Sequence, residues 1–455
     1  MTAVWLSLAF SIGWLFMACR WTYVAMHTYG GLGALPAGLA AFTLAAFLSV
    51  YYVTACALFV RWIDLNSPLM PISFCAVWLM AELARGTFFT GFGWGAIGYA
   101  HVEGPLAGFG PWVGVYGIGA IAAWSAATLA AMVAAPGRRG RLVFFACLCA
   151  VMGLGYSLQK FGAMTQSTGS LEFKLLQGNI PQDEKFEPGK GIPIALEWYG
   201  EQLRASHDVL FIAPETAIPL LPEQLHPDFW AALVQQFQSG ERAALIGMPM
   251  GNFREGYTNS VVGLQPGQTP WRYDKQHLVP FGEFIPGWFR WFTAMMHIPL
   301  GDFTRGKPLQ APFVWRGQSL SANICYENLF SEQLAEHFIE PKSAPHILVN
   351  VSNLAWFGGT VALDQHLQIA RMRAIEFGRP YLLATNTGPT AILDHQGNIV
   401  QALPHDVRGV LAGKVDGRSG ITHYAGWIAR WGLWPYWLFA LLIVGMAVWR
   451  HLTKR

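Results

Sequence analysis

The chain has 455 residues, of which 53% are hydrophobic and 13% are charged. The charged share is about half that of an average soluble protein. A formal net charge of +3 is nearly neutral for this length and excludes the concentrated basic surface that nucleic-acid binding requires. The 20 Trp and 30 Phe residues favour a chain that lies partly in lipid, with aromatic side chains at the membrane boundary.

Six apolar segments have roughly the length needed to cross a bilayer, which takes about 20 residues. They lie at about 4–19, 39–60, 70–83, 109–135, 142–156 and 434–449, and the third and fifth are short. Between about 170 and 422 charged residues become common. The sequence therefore predicts an N-terminal transmembrane domain of about five spans at 1–160, an extramembrane domain at 165–422, and a C-terminal transmembrane helix with its tail at 427–455.

Basic residues orient these spans, because Lys and Arg are enriched in cytoplasmic loops. Placing all three basic clusters inside requires alternate crossings, which six spans supply. Both ends of the chain are then cytoplasmic and the extramembrane domain lies outside, although Arg20 and Arg85 fall on the outer side. The three clusters are Arg61, then Arg138, Arg139 and Arg141, and finally Arg450, Lys454 and Arg455.

Short β-rich runs alternate with amphipathic stretches in the extramembrane region, which predicts an α/β layered domain. The helical stretches are 192–206, 228–238 and 365–377. The predicted strands are 173–177, 209–213, 243–248, 260–264, 319–325, 347–351, 381–384, 391–394 and 410–415.

Three residues that can carry chemistry stand near strand ends in this region. Glu215 follows the apolar run 209–213 and suits a general base. Lys275 could supply positive charge to an oxyanion. Cys325 has no disulfide partner in the domain, because the other five cysteines lie in apolar segments, and a thiol is a nucleophile only when a neighbour makes it a thiolate. Taken singly, each is most simply an ordinary surface or buried residue, but their order and spacing together indicate a site.

At these residues the sequence resembles the nitrilase, or carbon–nitrogen hydrolase, superfamily, which has an α-β-β-α sandwich and a Glu-Lys-Cys triad. The resemblance implies that Glu215 is the general base, Lys275 the oxyanion stabiliser and Cys325 the nucleophile. Longer motifs resemble the apolipoprotein N-acyltransferase family, over nearly the whole chain. They comprise Lys275 with 278–283, Cys325-Tyr326-Glu327, Asn353 with 355–358, 371–374, and in the membrane half 23–31 and 82–94.

This resemblance implies a multi-pass enzyme of the bacterial inner membrane whose catalytic domain faces the periplasm. The expected reaction moves an acyl chain from a phospholipid, through a Cys325 thioester, to the N-terminal amine of diacylglyceryl-cysteine in an apolipoprotein. Neither a cofactor nor a metal ion is expected. Glu283, Glu327 and Asn353 are expected to support the triad.

Several aromatic residues are expected to contact the lipid substrate. Trp288, Trp291 and Phe292 belong to an apolar run that a soluble amidase would not normally expose, and Trp356 lies in another family motif. Glu82 and Arg85 allow two interpretations, a local ion pair or a contact with a headgroup or substrate.

The sequence departs from the family pattern in three places. Two of the usual eight spans are missing before the first segment, through a real loss or a late start site. Leu354 stands where the family usually has Asp, and Phe186 stands where Trp is common. Two other functions stay open. One is a membrane-tethered nitrilase-type amidase, which the triad alone does not separate from a transferase. The other is a degenerate, non-catalytic paralogue that binds lipoproteins, to which Leu354 and the short N-terminus give some weight.

Overall fold

The computed structural model describes residues 2–135, 137–162, 164–205, 209–285, 287 and 303–453. Its helices are α1 (Thr2–Cys19), α2 (Trp21–Val24), α3 (Ala34–Trp62), α4 (Met70–Thr87), α5 (Gly110–Ala134), α6 (Arg138–Phe161), α7 (Gly191–Arg204), α8 (Pro227–Gln236), α9 (Ser331–Ala335), α10 (Ala362–Phe377), α11 (His423–Trp431) and α12 (Trp434–Thr453). Its strands are β1 (Gln166–Gln177), β2 (Leu210–Ile212), β3 (Ala243–Asn252), β4 (Gly256–Leu264), β5 (Trp271–Asp274), β6 (Phe313–Trp315), β7 (Gln318–Ile324), β8 (Ile347–Ser352), β9 (Tyr381–Thr385), β10 (Ala391–Leu393), β11 (Ile399–Ala402) and β12 (Gly409–Ser419).

Within the described part of the chain, six helical segments are long and apolar enough to cross a membrane, and they coincide with the six predicted spans. All six are longer than predicted, including the third and the fifth, which were predicted to be short. The third continues past Glu82 and Arg85, because both charged side chains are buried inside the helical bundle. The fifth begins at the basic residues Arg138 and Arg139. The segments are Thr2–Cys19, Ala34–Trp62, Met70–Thr90, Pro105–Ala134, Arg138–Lys160 and Trp434–Thr453.

Two six-stranded sheets form the extramembrane domain, in the orders β12-β1-β2-β3-β4-β5 and β11-β10-β9-β8-β7-β6. Strands β1, β2 and β3 are parallel neighbours, as are β7, β8 and β9. Apolar side chains of both sheets, such as Phe173 and Leu320, form a common core between them. Helices α7 and α8 cover the outer face of the first sheet, and α10 packs on the second. This is the predicted α-β-β-α sandwich.

All nine predicted strands form, and the described part of the chain has three further strands that were missed. Strand β5 has the sequence Trp-Arg-Tyr-Asp and β6 has three residues, so neither shows a readable alternation. Strand β11 is exposed along its whole length at a sheet edge. A strand is difficult to predict from sequence when it is this short or buries so little apolar surface.

Helix α10 lies between the second sheet and the membrane helices. Its apolar residues belong to the same buried cluster as residues of α4 and α5. Glu376 on α10 accepts a hydrogen bond from the backbone N–H of Val115 at 2.7 Å. The indole N–H groups of Trp21 and Trp94 donate to the Gln365 side-chain oxygen at 3.2 and 2.6 Å. The second sheet, α10 and the membrane helices therefore share one buried apolar cluster.

Candidate active site

The structure brings the three predicted catalytic side chains together from three different strand ends. Glu215 lies in the turn after β2, Lys275 follows β5, and Cys325 follows β7. The Lys275 Nζ atom lies 3.4 Å from Glu215 Oε1. The charges of Glu215 and Lys275 both affect the pKa of the Cys325 thiol. Each strand ends at the same side of the domain, which places the three groups in one buried site.

Cys325 occupies a sharp elbow between β7 and a short 3-10 turn, Cys325–Leu329. Its φ angle of 51° is in the left-handed region, where a non-glycine residue costs about 1–3 kcal/mol unless its surroundings enforce it. The side-chain N–H of Asn350 donates to the Cys325 carbonyl at 3.3 Å. Nε2 of the buried His366 lies 3.4 Å from the same oxygen. These contacts hold the backbone of the elbow from beneath.

The thiol of Cys325 is protonated at rest. Burial raises its pKa well above the ordinary value, the Glu215 carboxylate raises it further, and the Lys275 ammonium opposes both. A protonated thiol is a poor nucleophile. The geometry therefore fits a mechanism in which the proton leaves as the thiol attacks, with a carboxylate as the acceptor.

Lys275 is held as an ammonium ion. Burial acts to lower its pKa, but the carboxylates of Glu283 and Glu215 together outweigh burial, and the net pKa is raised. Its Nζ donates to Glu283 Oε1 at 2.8 Å. A fixed positive charge in a buried site suits the stabilisation of an oxyanion.

The two carboxylates of the site share one amide donor, Asn259 on β4. Its Nδ2 donates to Glu215 Oε1 at 2.6 Å and to Glu283 Oε1 at 2.9 Å. The other oxygens accept backbone N–H groups, from Asn353 to Glu215 at 2.8 Å and from Val279 to Glu283 at 2.9 Å. Sequence analysis missed Asn259, which lies in the polar run Thr258-Asn259-Ser260 and is not distinguished from its neighbours by the sequence.

Glu327 connects the backbone next to Cys325 with the backbone that follows Lys275. One of its oxygens accepts the N–H of Ile324 at 2.7 Å and the hydroxyl of Tyr273 at 2.9 Å. The other accepts the N–H groups of Gln276 and His277 at 2.6 and 3.1 Å. Burial raises the pKa of this carboxyl, and the hydrogen bond from Ile324 opposes it. Its four donors fix the position of Cys325 relative to Lys275.

A second layer of polar side chains supports Glu215 from behind. The Asn353 side chain donates to Gln182 at 2.7 Å and accepts from Asn386 at 3.0 Å. Buried Lys185 donates to the Glu215 backbone carbonyl at 3.2 Å. Burial lowers the pKa of Lys185 to about 7, although the charge of Glu215 acts to raise it. Of these four residues, sequence analysis identified Asn353 alone.

Comparison with known proteins agrees with this geometry. A model of the apolipoprotein N-acyltransferase N-terminal domain matches residues 1–128, and a carbon-nitrogen hydrolase model matches 179–424. An apolipoprotein N-acyltransferase from Verminephrobacter eiseniae is 49% identical over 446 residues, covering 93% of this chain and 82% of that protein. One from Ralstonia nicotianae is 42% identical over 427 residues, covering 92% and 80%. The chain belongs to the apolipoprotein N-acyltransferase family.

Family membership and the six apolar helices make the chain a multi-pass membrane protein with a carbon–nitrogen hydrolase domain. Its enzyme class is acyltransferase, as in the curated relatives. Among solved structures, a CN-hydrolase superfamily protein from Xanthomonas campestris aligns with 58% of this chain and 96% of its own, with 16% identity and a TM-score of 0.41.

The predicted aromatic substrate-binding residues of this acyltransferase fall into two groups. Trp288, Trp291 and Phe292 lie outside the described residues. Trp356 is described and is 41% exposed, in the 3-10 turn Leu354–Phe357. An exposed aromatic ring at this position suits contact with a lipid chain, which stays a prediction.

Glu82 and Arg85 form an ion pair at 3.6 Å, and both side chains are buried. Of the two interpretations of this pair, the local ion pair therefore describes its geometry. Neither charge is presented at an exposed surface, so their burial gives no support to a headgroup contact. Of the two single-residue departures from the family pattern, Leu354 fills a fully buried position and Phe186 is about half exposed.

Proposed function

We propose that this chain transfers an acyl chain from a membrane phospholipid to the N-terminal amine of diacylglyceryl-cysteine in an apolipoprotein. The observation that carries the proposal is the cluster of buried Glu215 and Lys275 with the partly exposed Cys325, beside the membrane helices. Tyr326, which follows the nucleophile, donates a hydrogen bond to the Gly91 carbonyl at the end of α4 at 3.0 Å. The thiol therefore lies close to the region from which a lipid would arrive.

In the first half-reaction, Glu215 takes the proton of the Cys325 thiol as the sulfur attacks the ester carbonyl of the phospholipid. The carbonyl oxygen becomes an oxyanion, which the Lys275 ammonium stabilises. When the tetrahedral intermediate collapses, the lysophospholipid oxygen leaves and takes the proton from Glu215. The products are a Cys325 thioester and lysophospholipid.

In the second half-reaction, the apolipoprotein amine attacks the thioester carbonyl and forms the amide bond. Glu215 takes a proton from the attacking nitrogen and returns it to the departing sulfur. Splitting the transfer into two steps replaces one difficult displacement by two easier ones. The net reaction turns phospholipid and diacylated lipoprotein into lysophospholipid and triacylated lipoprotein, with the enzyme restored.

The domain limits and their orientation are part of the proposal. The transmembrane domain spans 1–160, the catalytic domain spans 165–422 in the periplasm, and 427–455 returns the chain to the cytoplasm. The basic cluster in the first turn of α6 supports this arrangement, because Lys and Arg are enriched on the cytoplasmic side of a membrane. A reporter that is active only outside the cytoplasm should work when fused near Gly240 and fail when fused at Gly140. The reverse result would refute the orientation.

Two other functions make different predictions. A hydrolytic amidase would release free fatty acid to water as its main product, whereas the transferase gives lysophospholipid and an acylated amine. A non-catalytic paralogue would form no thioester from any acyl donor. The packing of α10 against the membrane helices supports transfer from a lipid, and the intact triad supports catalysis.

The decisive experiment follows the acyl group by mass. Incubation of the purified protein with phospholipid alone should add one acyl mass and release lysophospholipid, and hydroxylamine at neutral pH should remove that mass. Cys325→Ala should carry no acyl group. A variant with Cys147 and Cys149 both changed to Ala is the matched control and should be acylated like the parent. Maturation of lipoproteins by Cys325→Ala at the parent's rate would end the proposal.

A further inference from the structure

Three polar side chains are buried together where α3 and α4 pack, at the end of α4 nearest the catalytic domain. They are Tyr52, Glu82 and Arg85, each no more than 2% exposed. The Tyr52 hydroxyl donates to Glu82 Oε1 at 2.7 Å and accepts from Arg85 Nε at 2.9 Å. Buried charges in membrane helices are costly and are usually retained for a function. We call these three residues the clamp.

The clamp also binds the backbone of the segment that follows α4. Arg85 Nη1 donates to the backbone carbonyls of Phe92 and Trp94 at 2.7 and 2.6 Å. In return, the N–H of Phe92 donates to the Arg85 carbonyl at 2.8 Å. The guanidinium thus fixes the far end of the segment 88–94, which leaves α4 and turns toward the catalytic domain.

The same segment contacts both motifs that carry the chemistry. The Gly91 carbonyl accepts the hydroxyl of Tyr326, the residue after the nucleophile, at 3.0 Å. The Thr90 carbonyl lies 3.1 Å from Nε2 of His277, two residues after Lys275. The His277 ring stacks on Phe330 with centroids 3.5 Å apart, next to the nucleophile elbow.

The segment is held in a conformation that it would not adopt alone. Phe89 and Thr90 have φ angles of 55° and 76°, in the left-handed region that non-glycine residues avoid. Gly91 has a φ of 79°, and a Cβ there would collide with the Gly86 carbonyl. Such strain persists only where the surroundings over-determine the backbone, and the clamp supplies that constraint.

We propose that Tyr52, Glu82 and Arg85 are positioning residues for acyl transfer. They act through the segment 88–94, whose carbonyls at Thr90 and Gly91 set His277 and Tyr326, and through these the placement of Lys275 and Cys325. The inference rests on the proposed function and adds to it a route by which the packing of α3 against α4 controls the catalytic geometry.

The test measures kcat and KM for thioester formation from phospholipid in the full-length protein. Arg85→Lys keeps the positive charge, but a lysine side chain cannot bond to Tyr52 and to two carbonyls at once. We expect kcat to fall by up to about 100-fold, which is the loss that a misplacement of about 1 Å in an active site causes. KM should stay near the parent's value. Tyr326→Phe removes the link to Gly91. Because both changes break one chain of contacts, the double variant should lose little more than the worse single variant.

A matched control is the ion pair of Arg373 and Glu376, which has the same spacing and burial but lies on α10. In the double variant, the fold reductions in kcat caused by Arg373→Lys and by Tyr326→Phe should multiply, because the two residues do not act through one chain of contacts. The inference is overturned if Arg85→Lys retains the parent's kcat, or if its loss also multiplies with that of Tyr326→Phe. Tyr52→Phe is a milder substitution within the clamp and replaces Arg85→Lys in this test if that variant does not fold.

The alkylation rate of Cys325 by iodoacetamide separates this inference from the proposed function. The Lys275 ammonium favours the thiolate, so a misplaced Lys275 should slow alkylation in Arg85→Lys and leave it unchanged in Arg373→Lys. If the parent forms no thioester, the proposed function fails, and the alkylation rates alone decide on the clamp. Equal alkylation rates in Arg85→Lys and the parent would then refute it.

Discussion

Replacing Asn259 by leucine should disable the site without unfolding the sheet around it. The Asn259 amide donates a hydrogen bond to both Glu215 and Glu283. Its backbone is held independently by β4 pairing with β3, and its carbonyl accepts the N–H of Lys275 at 2.8 Å. Leucine has a similar size, keeps the backbone contacts and removes both side-chain bonds.

The expected loss follows from the bond to Glu215. A hydrogen bond to a charged group contributes about 1.5–3 kcal/mol. Each 1.36 kcal/mol of barrier corresponds to about a tenfold change in rate, so thioester formation should slow by about 10- to 150-fold. Without Asn259, Glu215 Oε1 keeps only the longer contact to Lys275 at 3.4 Å. The general base would then be held mainly by the Asn353 N–H on its other oxygen, at 2.8 Å, and could rotate about that bond.

Single-turnover formation of the thioester from phospholipid measures this loss directly. Thr258→Val is the matched control, because successive side chains of a strand point to opposite faces. The Thr258 hydroxyl bonds to Asp274 at 2.8 Å, outside the catalytic cluster. Its substitution should leave the rate of thioester formation unchanged. If Asn259→Leu reacts within about twofold of the parent, the shared amide does not hold the base, and this account of the site is wrong.

Three further predictions concern charged side chains in and around the site. Lys275→Ala should fold and insert, yet acylate about 10²–10³-fold more slowly, because the oxyanion loses its cation; a rate within about threefold of the parent would remove Lys275 from the mechanism. Glu327→Gln should lower both stability and rate, since its amide nitrogen faces N–H donors that lose an acceptor, at roughly 1–3 kcal/mol each; an unchanged melting midpoint would contradict this. The pKa of Lys185 is about 7 in the folded protein and 10.5 in the unfolded chain. Between these two pH values the folded protein binds fewer protons than the unfolded chain. The free energy of unfolding therefore rises with pH in this range, by roughly 1.4 kcal/mol per pH unit. Melting midpoints in detergent across that range should show the rise in the parent and in Lys190→Met, but not in Lys185→Met.

The residues that carry the chemistry could be predicted because their neighbours along the chain carry information. Glu215 follows an apolar run and Cys325 follows a stretch of alternating polar and apolar residues, so the sequence places both at strand ends. Lys275 follows β5, which was not predicted, and its motif alone marked it. Asn259 and Lys185 escaped because their importance arises from pairing across the fold. Asn259 reaches Glu283 only when β4 and the segment after β5 lie side by side.

The membrane half shows the same limit for a different reason. The spans could be predicted from hydropathy, but Arg85 reads in sequence as a charge at the outer end of the third span. In the structure it is buried, with its donors turned to Tyr52 and to backbone carbonyls. Which face of a helix meets other helices depends on three-dimensional packing, which a hydropathy profile averages away.

The position of α10 has a consequence for cutting the enzyme into parts. On the first sheet, α7 and α8 complete the sandwich by themselves, whereas α10 is buried on its far side by α5 and its neighbours. A fragment limited to 165–422 would present that far side to water as a broad apolar surface, and such surfaces drive aggregation. Detergent would then be needed even though such a fragment lacks every transmembrane helix. The membrane helices therefore cover one face of the catalytic domain as well as holding it at the membrane.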